Sequence, residues 1–273
     1  MIFGRKKKAR SVGDEDETGP DSTETAAVDP DEADDPDAVA TGTEDDVADA
    51  DATDDGLDVT ELDATEWRHE GPFEVAELAG TTDEPTDDQP RIDLGSIIVT
   101  PVPGSELRLQ VNESQDIVSA MLVLPVTAPA VDGAEPEVVG SSALELSAYA
   151  APRSGGLWAE LRDEISEAAS EVGGSAELAA GPFGVELRRL LPVTTPEGEQ
   201  GYQPSRMWVA EGPRWLLRGI VYGQAAVQLD DEDPAVVAVL EAFRDVVVRR
   251  GDEAMAPGDL LPMSMPADLQ PVE

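Results

Sequence analysis

The chain has no cysteine, one histidine and one asparagine in 273 residues, and its three lysines all stand at positions 6–8. Each shortage removes a class of chemistry. Without cysteine there is no disulfide, no thiolate metal site and no thiol nucleophile. His69 alone rules out a His-rich zinc site, and its place at the edge of the expected domain argues against a Ser-His-Asp triad. With no lysine beyond position 8, the folded part has neither a Schiff-base lysine nor a Walker A loop. No G-x-G-x-x-G follows a candidate strand, and no motif calls for a cofactor. No apolar run approaches the roughly 18–20 residues that span a bilayer. The basic start has no apolar h-region behind it, so it does not read as a secretory signal, and the cytoplasm is the expected compartment.

What is present is mostly acid. The formal net charge is −41. Residues 1–10 carry five basic groups (Arg5, Lys6, Lys7, Lys8 and Arg10), residues 11–66 carry 23 acidic groups and no basic one, and residues 67–273 carry 36 acidic and 13 basic groups. Such a field repels nucleic-acid phosphate over most of the surface and argues against a general nucleic-acid binder. Residues 1–66 hold too few large apolar side chains to offset the entropy of ordering, so they read as a disordered leader, basic over 1–10 and acidic over 11–66. The basic arm has three readings: weak contact with an anionic membrane at about 1 kcal/mol per basic group, a fold-back onto the acidic leader, or no role. The acidic run is either a solubilising leader or a mimic of nucleic acid that screens a basic site. Arginine in place of lysine, with abundant Ala, Asp and Val, fits a GC-rich genome such as an actinobacterium; a salt-loving host is the other reading.

From Trp67 the pattern becomes that of a folded domain, expected over 67–254 with an irregular tail over 255–273. Strands are expected over 71–78, 91–100, 106–111, 116–124 and 142–150, where apolar residues alternate or run together between Pro/Gly breaks. Connections of hairpin length imply antiparallel pairing. The period then changes to that of a helix over 156–172, with Trp158, Leu161, Ile165, Ala168, Ala169 and Val172 on one face and Glu160, Glu164, Glu167 and Glu171 on the other; Gly173-Gly174 stops it. Strands return over 181–191 and in a hairpin of 206–210 with 214–222. Along the second arm Trp215, Leu217 and Val221 share one face and Arg214, Leu216, Arg218, Ile220 and Tyr222 the other, so both faces are expected to be covered. A last helix starts at Asp233-Pro234, carries Val236, Val237, Leu240, Phe243 and Val247 inward, and ends at Arg249-Arg250-Gly251. Leu260, Leu261, Met263 and Met265 are placed to pin part of the tail.

Candidate site residues are few. Asp93, Glu145 and Glu211 lie on or beside strands, but no spacing marks a catalytic or metal-binding pair. The arginines Arg153, Arg188, Arg206, Arg214 and Arg218 are the better lead, since a buried unpaired charge is very costly. Either Asp93 and Glu145 pair with them, or a cluster of Arg153, Arg214 and Arg218 beside Trp158 receives the carboxylate or phosphate of a ligand. Gly155-Gly156 before the first helix is either a plain helix entry or a pair of amides for an anion. The tryptophans Trp158, Trp208 and Trp215 are core residues or the lining of such a pocket.

Five segments in order, Arg91-Ile-Asp-Leu-Gly95, Ala151-Pro-Arg-Ser-Gly-Gly-Leu-Trp158, Gly181-Pro-Phe-Gly184, Gly212-Pro-Arg-Trp-Leu-Leu-Arg-Gly219 and Val247-Val-Arg-Arg-Gly251, resemble the actinobacterial domain-of-unknown-function family 3710 over about residues 67–265. The resemblance brings no activity and no catalytic residue; it favours an actinobacterial, cytoplasmic origin. The expected fold is α+β, a mostly antiparallel sheet with two packed helices, preceded by the disordered acidic leader. A distant likeness to the Mog1/PsbP architecture is one of fold alone. The expected function is a non-enzymatic protein-interaction module that binds a partner or itself. A small-anion or nucleotide-binding domain built on the arginine cluster is the alternative, and a carboxylate-dependent enzyme the third reading.

Overall fold

The computed structural model describes residues 56–81, 83–84, 91–127, 137–196 and 198–266. The expectations for the basic arm, for the acidic run up to residue 55 and for the last residues of the tail lie outside these.

The described chain runs α1 (Val59–Ala64), β1 (Phe73–Glu74), α2 (Val75–Leu78), β2 (Ile92–Asp93), β3 (Ile97–Val99), β4 (Glu106–Val111), β5 (Ile117–Thr127), β6 (Val138–Ala150), α3 (Leu157–Glu171), β7 (Ser175–Gly181), β8 (Gly184–Thr194), β9 (Gln200–Gly212), β10 (Trp215–Gly223), α4 (Gln224–Val227), α5 (Pro234–Arg244) and β11 (Val247–Val248). Seven strands make an antiparallel sheet in the order β4-β5-β6-β10-β9-β8-β7. A smaller sheet, β1-β11-β3-β2, has one parallel pair, β1 with β11. The fold is α+β and mostly antiparallel, as the composition and spacing predict.

β10 is the middle strand of the large sheet, and its two faces explain the layering. Trp215, Leu217 and Val221 enter one core with Leu144, Leu146, Trp208 and the α5 residues Val236, Val239 and Phe243. Leu216 and Ile220 enter a second core with Leu187, Met207, Val209 and the α3 residues Leu157 and Trp158. One helix therefore covers each face. Gly219 is where the α5 layer comes closest: a Cβ there would lie 2.6 Å from a ring carbon of Phe243 and 3.0 Å from Leu144. Phe243 in turn packs edge-on against Phe183 at 4.8 Å and Trp208 at 6.1 Å between ring centroids, geometries worth about 0.5–1.5 kcal/mol each beyond area burial. The small sheet lies on the same side as α5 through Leu94, Ile97, Val99 and Val248.

Several expectations are corrected. The strand expected over 71–78 is two residues of β1 followed by the short helix α2, which is closed by Glu74 and Glu77 as a capping box. The strand expected over 91–100 is a hairpin, β2 and β3, because Gly95 at φ +85 lets the Leu94 amide reach the Ile97 carbonyl. β7 stands where no strand was expected; it pairs with β8 across a turn made by Pro182-Phe183. Residues 59–64, assigned by composition to the leader, form α1 against β8. In α3, Ala168 and Val172 are exposed, while Arg162 is buried, paired with Asp63 of α1 at 2.7 Å. The last helix ends at Arg244, not at Arg250. Val246, Val247 and Val248 are β-branched and extend into β11 beside Ile97 and Ile98. The tail is pinned by Leu261 and Met263, which are buried, whereas Met265 is exposed.

Candidate functional site

The residues singled out from the sequence do not gather. Trp158 sits in the first turn of α3 with its ring buried and its Nε1–H donating to the Val185 carbonyl at 2.8 Å, a core position. Arg153 is exposed on the loop between β6 and α3. Arg214 stands at the tip of the β9–β10 hairpin with φ +68. Proline followed by a residue of positive φ is the pattern of a type II turn, where glycine is the usual occupant. Arg214 is held there by its carbonyl, which accepts from the Ala151 amide and from Arg250 Nε at 2.9 Å each. Its charge acts on Glu74, whose carboxyl burial and the neighbouring Glu77 nevertheless raise above the usual value. Arg218 is four residues further along β10, about 13 Å at the rise of a strand, on the face turned to α3.

Of the two readings of Gly155-Gly156, the structure shows a helix entry capped from within the chain. The Glu211 carboxylate accepts from the Gly156 amide at 3.0 Å and the Trp158 amide at 3.3 Å. It caps the positive end of α3, which leaves no vacancy there for a ligand. The other strand arginines have their own partners. Glu186, almost fully buried, accepts from Arg206 Nε at 3.0 Å, Arg188 Nε at 2.7 Å and Trp208 Nε1 at 2.7 Å. Arg206 reaches on to Asp231 at 2.7 Å and to the Gln228 carbonyl at 3.3 Å. Asp93 is paired with Arg249 at 2.7 Å, whose guanidinium holds the Asp93 carboxyl below the usual carboxylate value. Of the expected internal partners, Asp93 thus serves an arginine outside the candidate set. Among the described residues, no three His, Cys, Asp or Glu side chains converge as a metal site would require.

One charged group does come together, on the α3 side of the large sheet, from three strands. α3 lies over β7 and β8, and the group stands on β6, β10 and the outer part of β8, with Tyr149 and Tyr222 packed against the core that α3 helps to form. Arg218 lies over the Tyr149 ring at 5.2 Å and donates to Ser147 Oγ at 3.4 Å. The Tyr222 hydroxyl donates to Glu145 at 3.2 Å. Arg189 completes the group: burial draws its guanidinium below the ordinary value, Tyr222 opposes this, and the Arg218 charge adds to it. Burial, then the Glu145 charge, pushes the Tyr222 hydroxyl up to about 12. Both Arg189 Nε and Arg218 Nε are buried without a hydrogen-bond partner, as is Ser119 Oγ. The sequence reading missed Arg189, Tyr222 and Ser119. Alternation places Arg189 on the face of Leu187, and Tyr222 on that of Arg218, but their meeting depends on strand order.

A second feature lies at the end of the sheet where β8 turns into β9. Leu190 pairs with Pro204 and Pro192 with Tyr202, one and two steps beyond the Arg188–Arg206 pair and on the same face. Leu190 is 41% and Tyr202 60% exposed. The end of α4 and the segment after it, tied to β9 by the Arg206 bonds to Gln228 and Asp231, add Val227 at 56% and Leu229 at 74%.

No helix among the described residues is long and apolar enough to cross a membrane. No curated protein and no solved structure matches the chain. A family model described as "Protein of unknown function (DUF3710)" matches residues 71–271. That span takes in both sheets, both long helices and the pinned part of the tail, and the chain belongs to this family.

Proposed function

We propose that this protein is a non-enzymatic binding domain that holds a protein partner at the β8–β9 end of its large sheet. The observation that carries the reading is the set of four exposed large apolar side chains, Leu190 and Tyr202 on β8 and β9 and Val227 and Leu229 flanking Gln228, which Arg206 of β9 holds. Scattered apolar residues need no explanation, but a group of them on one end is the mark of a contact surface, and tyrosine is a preferred anchor. The surroundings are acidic. Asp230, Asp231 and Glu232 are exposed beside Leu229. The partner that fits therefore offers an apolar patch bordered by Arg and Lys. A second copy fits less well, because each copy carries the same acid border and a net charge of −41.

The test is capture from the native cells followed by reconstitution. A partner retained by the wild-type chain is purified and titrated against the wild type and against a Leu190→Ser/Tyr202→Ser/Leu229→Ser variant. All three positions are exposed, so each substitution is expected to move stability by no more than about 0.5 kcal/mol. The expected result is an affinity lowered at least about a hundredfold, with Val111→Ser, exposed on the opposite edge strand, leaving it unchanged. Equal affinity for wild type and triple variant overturns the reading. A wild-type dimer in sedimentation that the triple variant disperses replaces the foreign partner by a second copy.

A further inference from the structure

We propose that Arg189 and Arg218, with the hydroxyl of Ser119, form a receptor for a single carboxylate group on the α3-side face of the large sheet. The inference is independent of the apolar end, which lies on the other face of β8 and β9.

A guanidinium has five N–H groups and no acceptor, so a buried arginine is satisfied only by acceptors brought to it. At several other arginines they are brought, Arg91 with its unpartnered Nη1 being an exception. Arg206 meets Glu186, Asp231 and the Gln228 carbonyl, Arg162 meets Asp63, Arg68 meets Glu77, and Arg249 meets Asp93. Arg189 and Arg218 differ. Neither forms a salt bridge among the described residues, and each leaves a buried Nε without an acceptor. Arg218 has only a long bond to Ser147 and the face of Tyr149. Leaving a buried donor unmade costs about 1–3 kcal/mol, more for a charged group, so the pair is the place on this surface where an incoming acceptor gains most. Both side chains are half-buried, and the edge formed by Nε and one Nη is the edge that takes a carboxylate with two parallel bonds.

Charge selects the ligand. Two guanidiniums face one carboxylate, Glu145, and that carboxylate is engaged by the Tyr222 hydroxyl. The local excess is one positive charge. A monoanion neutralises it. A phosphate dianion brings a second negative charge against Glu145 and against the acidic field of the whole chain, which disfavours it. Ser119 Oγ supplies a further donor. It lies one strand beyond Ser147, since Ala120 pairs with Leu146 in the same ladder, and it is buried without a partner. Tyr149 and Met121, both half-buried on this face, offer apolar contact to the body of the ligand. The chemistry is shared by a free carboxylic acid and by the carboxylate of a peptide chain.

The experiment titrates the full-length protein, labelled with nitrogen-15, with benzoate, its neutral isostere benzamide and inorganic phosphate, and follows the arginine Nε–H resonances. A short peptide with a free C-terminal carboxylate and the same peptide amidated form a second pair of probes. Benzoate is expected to shift the resonances of Arg189 and Arg218 and not those of Arg206, with benzamide and phosphate at least about tenfold weaker; Arg189→Gln and Arg218→Gln each weaken benzoate about tenfold or more. Tighter binding of the free-acid peptide than of benzoate assigns the site to a peptide carboxylate, and the reverse assigns it to a small acid. Equal shifts with benzoate and benzamide, or benzoate shifts that leave Arg189 and Arg218 unmoved, overturn the proposal. The wild-type comparison needs no variant, so it stands even if an arginine substitution unfolds the domain.

Discussion

The buried pair of Glu186 and Arg206 gives the sharpest energetic test of the fold. Both side chains are almost wholly removed from water, at 2% and 1% side-chain exposure. Arg206→Met leaves the Glu186 charge inside with only Arg188, one-third exposed, and the Trp208 indole N–H to hold it. Glu186→Leu leaves the Arg206 charge inside with Asp231 at the surface, and strands the Trp208 N–H. Removing one member of a buried pair costs about 3–5 kcal/mol, chiefly because the survivor is an uncompensated charge. Exchanging both for apolar residues removes both charges from the interior, so the Arg206→Met/Glu186→Leu double variant is expected to lose only about 2–4 kcal/mol, most of it from the orphaned indole N–H and the loosened 228–231 segment. The two single losses would otherwise sum to about 6–10 kcal/mol, which makes the coupling at least about 2 kcal/mol. The assay is urea unfolding followed by tryptophan fluorescence, in which Trp208 reports on the network directly. In a domain of this size each single variant should melt about 6–20 °C lower. Single losses below about 1 kcal/mol, or a double variant that adds within about 0.5 kcal/mol, would refute the claim that the pair is dry and mutually dependent.

Three further outcomes follow from the same geometry. Gly219→Ala places its methyl 2.6 Å from the Phe243 ring, and because that ring is held between Phe183 and Trp208, the substitution should cost about 1–3 kcal/mol in chemical denaturation. Glu211→Ala removes the acceptor of the Gly156 and Trp158 amides, and should cost about 1 kcal/mol, with faster hydrogen exchange confined to the first turn of α3. Tyr222, with its hydroxyl pushed up to about 12, binds its proton more tightly folded than unfolded, so its contribution is whole below about pH 10 and is lost as pH rises toward about 12. Tyr222→Phe should flatten that alkaline fall in stability by at most about 2–3 kcal/mol. At the acid end, Asp93, held below its usual value by Arg249, loses its contribution as pH falls below about 4, and Asp93→Asn should remove that slope while costing no more than about 1 kcal/mol at neutral pH, since the pair is exposed.

Local pattern carried the elements that are long and periodic. Asp233-Pro234 marked the start of α5 correctly, with the Asp233 carboxylate accepting from the Ala235 amide at 2.8 Å. The alternation of Trp215 to Tyr222 gave both faces of β10 their proper cores. It failed where two periods agree. Val236, Leu240, Phe243 and Val247 fit helical spacing, yet the run Val246-Val247-Val248 is β-branched and leaves the helix for β11. It also failed where glycine reverses the chain inside an apolar run, as Gly95 does between β2 and β3.

Function was harder to read for a reason that lies in the sheet itself. A partner two residues away is visible in sequence: Glu186 and Arg188 share a face of one strand, opposite charges on an otherwise apolar run, yet Asp93 and Glu145 were the partners expected and the network at Arg206 was not foreseen. The arginine pair has no such mark. Arg189, Arg218 and Glu145 stand on β8, β10 and β6, and only the order β6-β10-β9-β8 brings them to one face. That order breaks sequence continuity between β6 and β10, because α3, β7, β8 and β9 intervene in the chain. Composition distinguishes none of the strand arginines from the others. What distinguishes Arg189 and Arg218 is the acceptor each lacks. In a chain with 59 acidic groups and 18 basic ones, acceptors are abundant, so two half-buried guanidiniums left without a carboxylate of their own are the least expected feature of the molecule. A purely structural arginine at either position would be expected to recruit a neighbour, as Arg206 and Arg162 do, and replacing Ser147 or Ser119 with Asp should then stabilise the fold. If the site receives a ligand instead, Ser147→Asp should occupy Arg218 from within and abolish benzoate binding while raising the melting temperature.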